Sequence, residues 1–265
     1  MSASPRRRHA APPPQLSLDL GTDDAPVPPA HPRDGPDRTA ALAQYRRRAR
    51  FYDLELMVFE PIRRIAIGLL GLRPGDVVLD LGCGTGLSLA RLRAAVGERG
   101  RVIGVEQCPE MIAQARARVQ AAGWRNVTLI CVPVESARIP VRADAALFHF
   151  THDVLRRDDA IDNVLTHLRP GATVVASGLK WAPLWAVPVN VFVLNAALYS
   201  VTSLAGLDAP WSRLASRLVG LEVRPMLAGG VYVARGRYEA PASDQTGGVP
   251  SSPARAPRRS SPAGV

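Results

Sequence analysis

Three glycines at alternate positions, Gly82, Gly84 and Gly86, stand directly behind a β-branched apolar run, and no other feature constrains this chain as much. Val77, Val78 and Leu79 have the pattern of a strand buried on both faces of a parallel sheet. Glycines so closely spaced let the backbone turn sharply and bring something large against the main chain, because no Cβ intervenes. Leu89, Leu92 and Val96 then recur at helical spacing, so the turn opens a helix whose amide end faces whatever is bound.

A dinucleotide fingerprint would read G-x-G-x-x-G, but Leu87 stands where its third glycine belongs and Gly86 comes one residue early. The run is D-x-G-x-G-x-G, with Asp80 two residues before the first glycine. It resembles motif I of the class I S-adenosylmethionine-dependent methyltransferases, and 105–111 resembles that family's second motif. The resemblance covers about residues 40–237. It implies S-adenosyl-L-methionine as cofactor and a Rossmann-like α/β fold: seven strands, mostly parallel, helices on both faces, and a terminal antiparallel pair. It also implies that Asp80 lies near the cofactor's amino group, that Gly82, Cys83, Gly84, Thr85 and Gly86 pack against it, and that Gln107 and Met111 border it.

A ribose near the glycine turn requires a carboxylate at the tip of the neighbouring strand. Residues 101–105 read as that strand, and Glu106 at its carboxyl end can accept hydrogen bonds from both ribose hydroxyls. Pro109 and Glu110 suit a helix first turn, with Ile112, Ala115 and Val119 on its buried face. Residues 126–131 form the third strand. In the resembling family an acid five places before a proline accepts the adenine amino group, which implies that role for Glu135, five before Pro140.

Ahead of the first strand, 39–72 reads as two helices, an N-terminal cap over the cofactor in which Tyr52 is implied as a contact; the second helix starts near Pro61 and turns Ile62, Ile65 and Leu69 inward. Residues 143–150 read as strand four and 151–155 as a loop beyond it. Ligands of open α/β sheets bind off the carboxyl ends of strands, so His149, His152 and Asp153 are expected beside the reacting centre. A helix carrying Ile161, Val164, Leu165 and Leu168 is stopped at Arg169-Pro170-Gly171, before a strand over 173–177. Residues 181–207 contain no charged side chain, but Pro183, Pro188, Asn190 and Asn195 argue against a membrane span. The expected substrate-side insertion is 181–219, an irregular entry and then a buried or lid helix, with Trp181, Trp185, Phe192 and Tyr199 lining an apolar pocket. A short helix from Asp208 and an antiparallel pair over 221–226 and 231–234, joined at Gly229-Gly230, complete a domain of 39–239.

Residues 1–38 and 240–265 are rich in Pro, Ala, Ser and Arg, lack any sustained period, and read as disordered tails. No apolar segment follows Arg6-Arg7-Arg8, so a secretory signal is not expected. Three cysteines, Cys83, Cys108 and Cys131, spell neither a metal site nor a disulfide framework, and a reducing cytoplasm is the expected home. The net charge of +10 does not come from the first 38 residues, where five Arg balance five Asp, and no basic stripe interleaved with aromatics marks a nucleic-acid interface.

Methyl transfer from a sulfonium is an in-line displacement, so the protein must mainly align the partners and exclude water. His152 is the first candidate for a general base, with Asp153 or His149 next; the bland alternative is a loop histidine that shapes the pocket. The uncharged insertion suggests a small apolar acceptor, lipid-, quinone- or polyketide-like, and the arginines of 46–50 would permit contact with an anionic lipid surface. The competing functions are a cofactor-binding regulatory protein without catalysis and an NAD(P)-dependent oxidoreductase.

Overall fold

A computed structural model describes residues 56–200 and 203–240, apart from the side chains of 56, 57, 199 and 200. Tyr52, the 46–50 arginines, the first helix of the expected cap, and 1–38 and 241–265 of the expected tails lie outside the described residues. The chain enters through a 3-10 turn, Leu56–Phe59, and α1, Glu60–Leu69. Strand and helix then alternate: β1 Val77–Leu81, α2 Leu89–Val96, β2 Arg101–Val105, α3 Pro109–Ala121, β3 Val127–Ile130, β4 Ala143–His149, α4 His152–Leu155, α5 Asp158–Thr166 and β5 Leu168–Leu179. Helix α6, Val187–Ser200, and the short α7, Ser212–Ala215, precede β6, Val219–Met226, and β7, Val231–Arg237.

The strands form one seven-stranded sheet in the order β3-β2-β1-β4-β5-β7-β6. β1 pairs in parallel with both β2 and β4, and β7 pairs antiparallel with β5 and β6, so the expected parallel sheet with a terminal antiparallel pair is what forms. Alternation along the strands feeds two apolar layers. Leu79, Leu81, Ile103 and Phe148 face Ile161, Val164 and Leu165 of α5 on one side. Val78, Val102, Leu147 and Val175 face Ile62 and Ala66 of α1, Leu89 and Leu92 of α2, and Val193 of α6 on the other. Burying both faces is why β1 and β2 read as nearly unbroken apolar runs. The chain leaves β1 toward β2 on one side and β4 lies on the other, so the crevice where an open α/β sheet takes its ligand falls at the β1 and β4 tips.

Four local expectations are corrected. The 151–155 segment is not a loop: 152–155 closes one helical turn, α4. Arg169-Pro170-Gly171 does not precede a separate strand, because β5 begins at Leu168 and absorbs those residues in a bulge, the pairing stepping from Ala143 with Leu168 to Ala145 with Thr173. On α1 the buried face is Ile62, Arg63, Ala66 and Ile67, while Ile65 is exposed. Trp185 and Phe192 do not line an enclosed pocket; Trp185 is 81% exposed and Phe192 46%. No described helix is long and apolar enough to cross a membrane.

Candidate active site

The turn after β1 is set by two hydrogen bonds from Gly82 and Cys83 N–H to the Val105 carbonyl, at 2.8 and 3.0 Å, followed by Gly86 N–H to Cys83 O at 2.9 Å. Gly82, Gly84 and Gly86 have φ of 68°, 56° and 83°, a region that a side chain disfavours. At Gly82 space also decides, since a Cβ there would stand 2.5 Å from Cγ2 of Thr151 in the β4–α4 turn. Cys83 points its sulfur at Gly104 of β2, so its part is packing. Thr85 is buried, and its carbonyl accepts from Arg118 Nε at 3.1 Å, tying the turn to α3.

Glu106 sits at the tip of β2, nearly buried, and each carboxylate oxygen accepts a backbone N–H: Oε2 from Gly84 at 3.1 Å, Oε1 from Cys108 at 2.8 Å. Burial raises its pKa, opposed by the N–H groups of Cys108, Gly84 and Gln107. The side chain therefore clamps the glycine turn to the start of α3, and each oxygen keeps a second lone pair for a further donor. Met111 lies buried below it on α3, while Gln107 is half-buried. Glu135, in the 3-10 turn Val134–Ser136, pairs with Arg157 through a 3.2 Å contact.

Asp80 is 2% exposed, and among the described residues its Oδ2 has no hydrogen-bond partner. Burial pushes its carboxyl up to about 7; the Arg63 guanidinium pulls the other way, and the Glu106 charge adds to the rise. Arg63 is itself 3% exposed, bonds Glu60, and leaves its Nε without a partner among the described residues. A buried cation was not anticipated here. The signal was present, because Phe59, Ile62, Arg63, Ala66, Ile67 and Leu70 form one helical stripe on which Arg63 is the single polar member.

β4 ends at His149, and Phe150 turns the chain with a φ of 57°, a conformation costing about 1 kcal/mol or more for such a residue. That turn sets the Phe150 ring against Phe59, centroids 4.5 Å apart, and its N–H on Ser177 O at 2.7 Å. His149 Nδ1 lies 2.7 Å from Ser177 Oγ, and burial pushes its pKa down to about 3 with Arg63 adding to the effect. Ser177, fully buried on β5, is the second residue that sequence pattern did not mark. His152 Nε2 lies 3.0 Å from the Ala205 carbonyl. A carbonyl only accepts, so Nε2 carries the hydrogen and Nδ1 the lone pair. Burial lowers the His152 pKa, with the Ala205 bond and the Asp153 charge opposing. Asp153 is half-buried beside it on α4. His152, Phe150, Ser177, Leu179, Leu207 and Tyr232 line a cavity of about 20 Å³.

The structure thus brings Asp80, the glycine turn, Glu106, His149 and His152 to one end of the sheet, around the β1–β4 crevice. A buried carboxylate with an unmet oxygen suits an ammonium group, an acid at the β2 tip suits a vicinal diol, and the Cβ-free turn suits close backbone approach. Those are the three demands of an amino-acid nucleoside such as S-adenosylmethionine, so the residues present fit that group.

The fold is that of class I S-adenosylmethionine-dependent methyltransferases, as the motif implied. Residues 78–171 match the family model described as a methyltransferase domain. Over 123 residues the chain is 34% identical to an uncharacterized 37.1 kDa protein in transposon TN4556 of Streptomyces fradiae, covering 45% of this chain and 34% of that one. Over 93 residues it is 34% identical to the aklanonic acid methyltransferase DauC of Streptomyces sp. strain C5, covering 35% and 42%. The matches thus span between a third and a half of those relatives' own lengths. The N-methyltransferase NodS from Bradyrhizobium japonicum WM9, solved in complex with S-adenosyl-L-homocysteine, superposes with a TM-score of 0.55 over 75% of this chain and 98% of that one; at 16% identity it speaks for the fold alone.

Proposed function

We propose that this chain transfers a methyl group from S-adenosylmethionine to a small, mainly apolar acceptor. The observation that carries the proposal is the pair of buried carboxylates, Asp80 and Glu106, on either side of a glycine turn at the β1–β4 crevice. When bound, the sulfonium supplies an activated methyl with its own leaving group. The protein's share is alignment, exclusion of water and, for an acceptor that must lose a proton, a base.

Asp80 and Arg63, a buried anion and cation, are suited to the ammonium and carboxylate of the cofactor's amino-acid end. Glu106 would take the ribose hydroxyls on the lone pairs its backbone partners leave. Glu135 would reach an adenine amino group, and Met111 and Gln107 would border the base. His152 is the base preferred over His149. Both are neutral near pH 7, but the depression of His149 to about 3 leaves it a poor proton acceptor, and the fixed Nε2 hydrogen of His152 leaves its Nδ1 free to accept. Phe150, Leu179, Leu207 and Tyr232 around His152 support an apolar acceptor, and the likeness to DauC supports a polyketide-like one. Because the cavity has room for about one water, entry of an acceptor would require its apolar wall at Leu179 and Leu207 to give way while the Ala205 bond to His152 is kept.

The test is calorimetry with S-adenosylhomocysteine and with NAD, followed by labelled-methyl transfer to a panel of aromatic polyketides, quinones and lipids. Binding of the nucleoside with turnover is expected. Binding without turnover across the panel would assign the chain to a regulatory role, and binding of NAD instead would refute the cofactor. His152→Ala is expected to lower kcat by about 100-fold or more while leaving cofactor affinity within about twofold, and to remove the acid limb of the pH profile.

A further inference from the structure

The outer face of α6 is unusual for a protein surface. Val187, Val191, Leu194 and Leu198 recur at spacings of four, three and four, so they form one stripe, and Val187, Val191 and Leu198 are each more than half exposed. Leu184 and Trp185, 93% and 81% exposed, extend it at the amino end of the helix. The opposite face is equally apolar but packed: Val193 and Ala197 are fully buried, and Val189 and Val193 close on Gly230, where a Cβ would meet them at 2.7 and 3.0 Å. An ordinary surface helix is polar on the side away from the core; this one is apolar on both.

We infer that this stripe docks on the interface of an anionic lipid bilayer. Its asparagine side chains bond their own backbone. Asn190 exchanges hydrogen bonds with Ala182, its amide 3.2 Å from the Ala182 carbonyl and its Oδ1 2.9 Å from the Ala182 nitrogen, and the Asn195 amide bonds back to Val191 O at 2.8 Å. A protein partner of ordinary kind makes about one hydrogen bond per 100–200 Å². A stripe of aliphatic side chains whose amides are spent on their own backbone suits a partner that asks for none, which is hydrocarbon. Fourteen residues span about 21 Å, too short to cross a bilayer but enough to lie in its boundary, and tryptophan at the end of such a helix favours that boundary. Charge agrees: 181–207 carries none, the chain as a whole is +10, and Arg156, which lies against Gly206 in the segment after α6, forms no ion pair among the described residues. Because Leu207 and Ala205 of that same segment meet the cavity and His152, docking would set the acceptor entrance against the lipid. The docking itself does not depend on methyl transfer.

The experiment is sedimentation of the full chain with phosphatidylcholine vesicles, with and without phosphatidylglycerol. Partition that strengthens with phosphatidylglycerol is expected, and Val187→Asp/Val191→Asp should lower it at least tenfold with an unchanged thermal transition. Of the four tryptophans, Trp185 should account for the quenching by brominated lipid, which Trp185→Phe would abolish. No partition, or partition that the double variant leaves unchanged, overturns the inference. A concentration-dependent dimer that the double variant dissolves, without vesicle binding, would overturn it in favour of a second copy on the stripe.

Discussion

With Asp80 at the ammonium position proposed above, cofactor binding is expected to depend on pH with a slope set by its surroundings. Its carboxyl, raised to about 7 by burial, is about nine-tenths protonated at about pH 6 and about one-tenth protonated at about pH 8. An ammonium group placed against it requires the ionised form, so the proton must leave when the ligand arrives. The apparent Kd for S-adenosylhomocysteine then carries a factor of 1 + 10^(pKa − pH), about 11 at the lower pH and about 1.1 at the higher. Affinity should therefore strengthen about tenfold across that range, or about 1.4 kcal/mol. The sign follows from the direction of the shift: a carboxyl whose pKa is raised in the free protein and lowered in the complex binds its cation better as pH rises. His149, pushed down to about 3, does not titrate in this window, and Glu106, also raised by burial, can add only to the same direction. Isothermal titration in two buffers of different ionisation enthalpy should register release of about 0.9 proton at the lower pH and about 0.1 at the higher. Asp80→Asn isolates the group, removing its share of the slope and the proton release along with much of the affinity. A flat wild-type profile, or a variant that keeps the whole slope, would refute an ionising Asp80 at the ammonium position.

Two further outcomes test the turn itself. Glu106→Ala removes the acceptor for Gly84 and Cys108 N–H as well as the proposed diol ligand, so S-adenosylhomocysteine should bind about 2 kcal/mol or more weaker by calorimetry, with a smaller loss in Glu106→Gln; unchanged affinity would disqualify Glu106 as a sugar ligand. Gly82→Ala places a Cβ against Thr151 Cγ2 and a side chain at positive φ, and should cost about 2–4 kcal/mol in urea unfolding. Adding Thr151→Ser deletes the clashing methyl and should recover about half of that loss, whereas strictly additive effects would mean that the two residues do not touch.

What was legible in the sequence was what the backbone must do locally. The β-branched run before Gly82 and the acid after Val105 could be placed on strand tips because strand, turn and helix signals are read over a few residues. The Gly229-Gly230 turn announced the antiparallel pair for the same reason. Features that depend on distant neighbours were not legible. Arg63 stands on an apolar stripe that the sequence shows, but the buried Asp80 that its charge acts on comes from β1 and is known only once the chain has folded. Ser177 has no motif and acquires its part only from the β4–β5 register that sets it beside His149. Apolar content tells how much surface wants cover, not which side of the helix receives it, so the exposure of Trp185 and Phe192 has no sequence signal. Arg169-Pro170-Gly171 carries a strong stop signal, yet β5 accommodates it because the bulge leaves those residues out of the ladder.

β7, the last strand in the described chain, is inserted between β5 and β6, and Arg235 reaches from it to the Leu69 carbonyl at the end of α1. Until residue 237 has left the ribosome, β5 is an open edge bearing Val174 and Val175, and the helix that carries Arg63 lacks its tether. A nascent chain halted before that point would hold every motif residue of the β1–β4 crevice and still leave the helix of Arg63 without this bond to the sheet.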